Sequence, residues 1–332
     1  MDQRPRLEDV AARVGVSTAS VSLVLRGAPG PSAETRRRVL AAAADLGYRP
    51  DRTASLLARR RPHQLGVMLD VRNPFHAELI EEIHTEADRL GYEVVLSTLT
   101  RDRDEARAVE TLLDFRCEAL ILLGPDSPAT VLDKLAAQVP CVSVGRMVRD
   151  AAVDVVRSAD DVGVGAALDH LIRLGHDRIA FVDGGKGAVA AARRRGYRRA
   201  MRRAGLTARV VPGDHTEEGG VRAGRQLAAD PDRPTAVVCS NDRLAVGVMD
   251  AFLRAGLGVP GDVSVVGYDD SSLARLAHID LTSVNQDAPA QARNAVLAAV
   301  SRLDEGRTLR TEIVLVPRLV VRRSTAPPPA AA

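Results

Sequence analysis

The sequence predicts an α/β protein with an N-terminal all-helical helix-turn-helix head and a hinge helix, followed by two similar α/β lobes. Three observations carry that expectation. Apolar residues recur at helical spacing through the first sixty positions and are broken by glycines. From about residue 64, short apolar runs alternate with amphipathic segments of crossover length. Charge divides in the same place: residues 1–61 hold 12 Arg against 6 Asp+Glu, a net of +6, while the remainder is net −3.

In the head, Leu7, Val10, Ala11 and Val14 share one helical face, the pattern breaks at Gly15, and Val21, Val24 and Leu25 resume it. Gly15 permits a sharp bend and Ser17 can cap the second helix. The outward face of that helix then offers Thr18, Ala19, Ser22 and Arg26, small enough at its start for the backbone to enter a major groove. Hydroxyls at Ser17, Ser20 and Ser22 are suited to phosphate contacts. A third helix runs from a Ser32 cap through Arg36, Arg37 and Arg38 to Leu46, and Gly47 stops it. Two short helices alone fit an ordinary hairpin nearly as well; the third helix and the localised charge favour DNA. The three arginines also fit a solvated face, since consecutive residues point in different directions, so one or two are expected at phosphate. The stretch from Asp51 to Arg61 reads as a short helix with Ala54, Leu57 and Ala58 on its apolar stripe, marginal in isolation. A plain connector fits it too.

In the body, strands are expected at 65–70, 92–99, 119–124 and 141–145, then at 178–184, 208–213, 235–240 and 263–269. Helices are expected at 76–90, 103–115, 161–174, 188–204, 217–229, 242–255 and 288–304, with crossings between lobes near Asp161, Asp287 and Arg318. Two open parallel sheets leave a cleft beside the carboxyl ends of their strands. Asn73, Asp126, Arg146, Asn241, Asp242, Asp269 and Asp270 fall at such ends, where each also fits a turn or helix cap.

Other classes find little support. GKG at 185–187 is no phosphate loop, and seven His without an H-E-x-x-H pattern, with no G-x-S-x-G elbow, point away from metal or serine catalysis. No cofactor, metal or catalytic residue is expected. Cys117, Cys141 and Cys239 are an odd number at wide spacings and read as buried thiols. With no bilayer-length apolar run and no apolar leader in MDQRPRLEDV, a cytoplasmic protein without membrane contact is expected. Aromatic residues are only 2%, so polar contacts must dominate any ligand site.

DVAARVGVSTASVS, TRRRV, LGYRPD, the LGV strand, NPF (73–75), LGHDRIAF (174–181), SND (240–242) and GYDD (267–270) occur in an order that resembles the LacI/GalR family of bacterial transcription regulators. The resemblance runs from about Leu7 to Arg323. It implies a homodimeric repressor on a near-palindromic double-stranded operator, controlled by a small polar effector such as a sugar bound in a periplasmic-binding-protein-like body. The domains expected are 1–50 (helix-turn-helix), 51–63 (hinge helix and linker), 64–323 (effector binding and dimerisation) and 324–332 (disordered tail).

Matched residue by residue, Thr18 and Ala19 take the base-reading start of the recognition helix, and Leu23 stands where many members carry arginine. Leu57 matches the leucine that enters a central minor-groove step and kinks the DNA. In the body Arg193, Asn241 and Asp269 match effector contacts, Phe75 an aromatic wall, His215 a position often Trp, and Gln286 a pocket-edge or hinge residue. Gly145 replaces a frequent aspartate before Arg146, and the loop leading to Arg193 is one residue short. A solute-binding protein without DNA activity would lack the basic head, and a sugar-metabolising enzyme would need a catalytic constellation that is absent.

Overall fold

The computed structural model describes residues 5–48 and 61–329, and its contacts divide the chain into a first unit, Met1–Pro62, and a second, His63–Ala332. The segment expected as a hinge, with Leu57, lies for the most part outside the described residues.

The head holds α1 (Leu7–Val14), α2 (Thr18–Leu25) and α3 (Ala33–Asp45). Each start has a local cause. Asp9 accepts from the Arg6 N–H at 2.7 Å before α1, while Ser17 and Ser32 accept from Ser20 N and Thr35 N at the heads of α2 and α3. Gly15 ends α1 at φ 72° and gives its N–H to Ala11 O, which turns the chain into α2. Val10, Val14, Val21, Val24, Val39 and Ala42 close a small core that fixes the three helices against one another.

The body follows as β1 (Gln64–Asp70), α4 (Pro74–Arg89), β2 (Glu93–Leu99), α5 (Glu105–Asp114), β3 (Ala119–Leu123), α6 (Ala129–Ala136), β4 (Cys141–Val144) and β5 (Asp154–Ser158). Then come α7 (Asp160–Arg173), β6 (Ile179–Val182), α8 (Ala188–Arg203), β7 (Arg209–Val211), α9 (Glu217–Ala228), β8 (Ala236–Cys239), α10 (Asp242–Arg254) and β9 (Ser264–Asp269). The chain ends with β10 (Thr282–Asn285), α11 (Ala288–Asp304), β11 (Glu312–Leu315) and β12 (Arg318–Val320).

One sheet runs β11-β5-β4-β3-β1-β2, all parallel; the other runs β12-β10-β9-β8-β6-β7, parallel except where β12 joins β10. Continuous apolar runs such as Ala119–Leu123 are buried on both faces because helices cover each sheet on both sides. α4 and α11 share one face of the first sheet, and α7 and α8 share one face of the second. Since α11 follows a strand of the second sheet yet packs on the first, the chain crosses between lobes three times. The crossings fall at 158–160, 285–288 and 315–318, where the sequence pattern places them.

The eight expected strands are present within a few residues, but β5, β10, β11, β12 and α6 carry no comparable signal. α6 buries only Leu132 and Leu135, and β5 opens on Asp154 and contains Arg157. A correction concerns the tail. A disordered end from 324 is the sequence expectation, yet Ser324 is buried and its hydroxyl donates to Val265 O while accepting from Thr282 N. Ala326 exchanges bonds with Ser264 Oγ and its carbonyl meets His176 Nε2 at 2.8 Å. Composition did not reveal this, because the tail's partners are mainly backbone and hydroxyl groups of β9, β10 and their flanks. Residues 330–332 lie outside the described residues.

Candidate functional site

In the head, Thr18 and Ala19 are exposed at the start of α2, with Arg26 exposed at its far end and Ser20, Ser22 and Leu23 half-buried. Small side chains at an exposed helix start let the backbone approach base edges closely. Ser17 Oγ meets Ser20 Oγ at 3.0 Å, so these hydroxyls orient each other, and Arg26 Nε donates to Ser22 O at 3.2 Å. Of the arginine triplet, Arg36 and Arg38 are committed inside the head: Arg36 Nη2 donates to Ala28 O at 2.8 Å and Arg38 Nη2 to Val14 O at 2.6 Å. Arg37 is exposed.

In the body, five of the seven expected effector residues form one connected network at the carboxyl ends of β8, β9 and β10. Arg193, on α8, is 4% exposed. Its Nε donates to Asp160 Oδ1 at 3.0 Å and its Nη1 to Ser240 O at 2.5 Å, and it lies 3.5 Å from Asp269 Oδ1. The guanidinium sits 3.7 Å over the Tyr268 ring. Burial opposes its charge, but Asp160 and Asp269 more than offset this and hold it above the ordinary arginine range.

Asp269 ends β9 at φ 111° and receives a 2.6 Å bond from Gln286 Nε2. Burial pushes its carboxyl up, against the opposing pull of Arg193. Asn241 caps α10, accepting from Leu244 N at 3.0 Å while its Nδ2 donates to His215 O. His215 Nε2 meets Ser240 Oγ at 3.0 Å, and burial, with Arg193 nearby, lowers its pKa to about 3, so it stays neutral. The other two expected residues stand apart, in the first lobe. Phe75 is packed into the cluster with Leu65, Leu79 and Ala288 and is 6% exposed, whereas Arg146 Nη1 donates to Pro125 O and Ser127 O, both at 2.7 Å.

Asp160 and Tyr268, which neutralise and cover Arg193, were not singled out by sequence. The available signals were an aspartate beside an expected crossing and, for Tyr268, a place in a buried strand and in the GYDD motif. Asp242, a strand-end candidate, is turned inward to accept from Ser271 N, Ser271 Oγ and Ser283 Oγ. Among the described residues no group of three or more His, Cys, Asp or Glu could hold a metal ion, and no helix is long and apolar enough to cross a membrane. What the network offers is hydrogen bonding in a nearly dry setting.

Residues 6–51 match the family described as bacterial regulatory proteins, lacI family, and residues 168–325 match a periplasmic binding protein-like domain. The ribose operon repressor of Escherichia coli (strain K12) is 33% identical over 326 residues, covering 96% of this chain and 99% of the relative. A LacI transcriptional regulator from a Rhodococcus species is 44% identical, covers 80% of this chain and 98% of its own, and superposes with a TM-score of 0.77. The lac repressor dimer bound to operator and the anti-inducer ONPF is 30% identical over 98% of this chain and the whole of its own, with a TM-score of 0.84. Head and body alike, the chain belongs to the LacI/GalR family and is a sequence-specific DNA-binding transcriptional regulator.

Proposed function

We propose that the protein is a cytoplasmic homodimeric repressor that places two α2 helices on a near-palindromic operator and changes its affinity when a small polar effector, such as a sugar, enters the cleft. The carrying observation is that the same chain joins a head with Thr18 and Ala19 exposed at a helix start to a body in which Arg193, Asp269, Gln286, His215 and Asn241 converge. The lac repressor dimer bound to operator and the ribose operon repressor support the DNA, dimer and sugar parts of this reading by similarity. Phe75 and Arg146 are proposed to complete the cleft from the first lobe. In the head, Ser17, Ser20, Ser22, Arg26 and Ser32 are proposed to face DNA, and Leu23, in place of a frequent arginine, gives an operator that departs from the family consensus. Leu57 is proposed as the apolar wedge at the central step. The reading contains binding and release but no chemical step.

Selection of bound sequences from a random duplex pool by the purified full-length protein tests this directly. A two-fold repeated half-site is expected, followed by altered operator binding when sugars and nucleosides are screened. An enriched pool without repeated half-sites would contradict the dimeric operator reading.

A further inference from the structure

Asp183 follows β6 at the carboxyl edge of the second sheet and is 7% exposed. Strand alternation places its side chain on the face of Ile179 and Phe181, the side covered by α7 and α8, on which Arg193 lies over Tyr268. Arg194 Nη1 donates to its Oδ2, but its Oδ1 is buried without a hydrogen-bond partner among the described residues. Buried carboxylate oxygens are almost always satisfied, so this orphan, at the carboxyl edge where open α/β sheets bind their ligands, lacks a donor.

The loop after Asp183 is approached from the other lobe. A Cβ on Gly187 would lie 3.0 Å from Asp126 Oδ1. Asp126 is bracketed by Arg146, whose Nη1 holds the carbonyls on either side of it and whose Nε is also buried without a partner among the described residues. On the inner side, Gly184 packs against the His215 ring so closely that a side chain there would overlap it.

The cations on the side of Asp183 are either paired or exposed. Arg193 is held by Asp160, Ser240 O and Asp269; Arg194 is held by Asp183 and Gly185 O; and Lys186, on the same loop, is exposed. The spare hydrogen-bonding capacity thus includes an anionic acceptor, Asp183 Oδ1, on one lobe and the Arg146 Nε–H on the other. An uncharged hydroxyl-rich molecule supplies both complements, whereas a phosphate or carboxylate would bring its charge against Asp183, whose one cation, Arg194, already holds the other oxygen.

We propose that Asp183 is a specificity-determining residue of the cleft, its Oδ1 accepting a hydroxyl hydrogen from an uncharged polyhydroxylated effector and excluding phosphorylated or carboxylated forms of the same skeleton. This rests on the reading of the cleft as the effector site. Calorimetry on the full-length protein, using D-ribose, D-glucose, maltose and adenosine beside ribose 5-phosphate, glucose 6-phosphate and AMP, tests it. At least one neutral probe is expected to bind, its phosphate ester at least about 100-fold more weakly, since a charge left buried and unpaired costs roughly that factor or more. Asp183→Asn should weaken the neutral probe at least about tenfold and narrow the discrimination; Asp183→Ser repeats the measurement if the first variant fails to fold. A phosphate ester binding as tightly as its parent, or no neutral probe binding at all, overturns the proposal. If Asp183→Asn leaves affinity unchanged while Asn241→Ala reduces it, the role of Asp183 fails but the cleft stands. If both variants bind unchanged, the cleft reading itself fails.

Discussion

Arg193 Nε and Asp160 Oδ1 meet at 3.0 Å, joining α8 to the first residue of α7 across 33 positions of sequence. With Tyr268 beneath it, the guanidinium is a structural bolt of the second lobe before it is anything to a ligand. Arg193→Ala would leave Asp160 and Asp269 buried without their partner, a loss of about 3–5 kcal/mol. For a body of this size that corresponds to a melting temperature lower by roughly 10 °C. Thermal melts of the full-length protein check this, and Asp160→Asn in a double-mutant cycle isolates the pair. An unchanged melting temperature would show that the pair contributes nothing. It follows that weakened effector binding in Arg193→Ala is interpretable only beside a measured stability.

Neighbouring arginines in the head divide their tasks. Arg38 Nη2 donates a hydrogen bond to Val14 O at the carboxyl end of α1, where a cation also suits the helix dipole, while Arg37 is exposed at the neighbouring position. Arg38→Ala should lower head stability by about 1 kcal/mol. Arg37→Ala should leave stability alone and, if Arg37 meets phosphate, reduce the slope of log affinity against log salt on a random-sequence duplex by about 1. Equal slopes for Arg37→Ala and wild type would assign Arg37 to solvent.

Much of the architecture was legible because parallel strands buried on both faces must be continuously apolar, as Ala119–Leu123 is. β11 and β12 were not legible. Their residues are mostly half-exposed or exposed at sheet edges, so no burial pattern disciplines them. At the site, Asn241 and Asp269 stand out as polar residues where strands end, whereas Gln286 is reached only through the family resemblance. Asp160 does not: its importance comes from α7 returning beneath α8, which is a fact of packing. Arg146 stands out at a strand end, but its partners do not, since backbone carbonyls leave no mark in a sequence.

Two glycines of α7 should respond oppositely to alanine. A Cβ on Gly163 would come within 3.0 Å of Tyr268 Oη, Pro317 and Val284, so α7 could no longer seat against the sheet beside the third crossing. Overpacking of this kind costs about 1–3 kcal/mol. Gly165, two residues on in the same helix, has nothing within 4 Å of its would-be Cβ. There, Ala should stabilise by about 0.5–1 kcal/mol through helix propensity alone. Denaturant melts of Gly163→Ala and Gly165→Ala, read against wild type, decide both; a stabilising Gly163→Ala would refute the close approach.

Asp154 opens β5 fully buried, and its two oxygens take bonds from Arg302 at 2.6 and 3.0 Å, from Arg307 at 2.7 and 3.1 Å, and from the Thr311 N–H at 2.7 Å. It thereby ties β5 to the end of α11 and to the turn that leads into β11. Burial raises its pKa, but the bonds from Arg302, Arg307 and Thr311 outweigh that, so the carboxyl titrates below its ordinary 3.8. In the unfolded chain it takes up its proton first on acidification, so the unfolded state binds more protons and stability falls as the pH falls. The contribution of this group is therefore fully present above about pH 4 and is lost as pH drops through the lowered value. Asp154→Asn should cost about 3 kcal/mol at pH 7, since two arginines lose their counter-charge. The gap between wild type and variant should narrow below about pH 4, where the wild-type carboxyl also protonates. Urea melts of both proteins at pH 7 and across pH 5 to 3 measure it; a gap independent of pH would mean that Asp154 acts through shape and hydrogen bonding rather than through its charge.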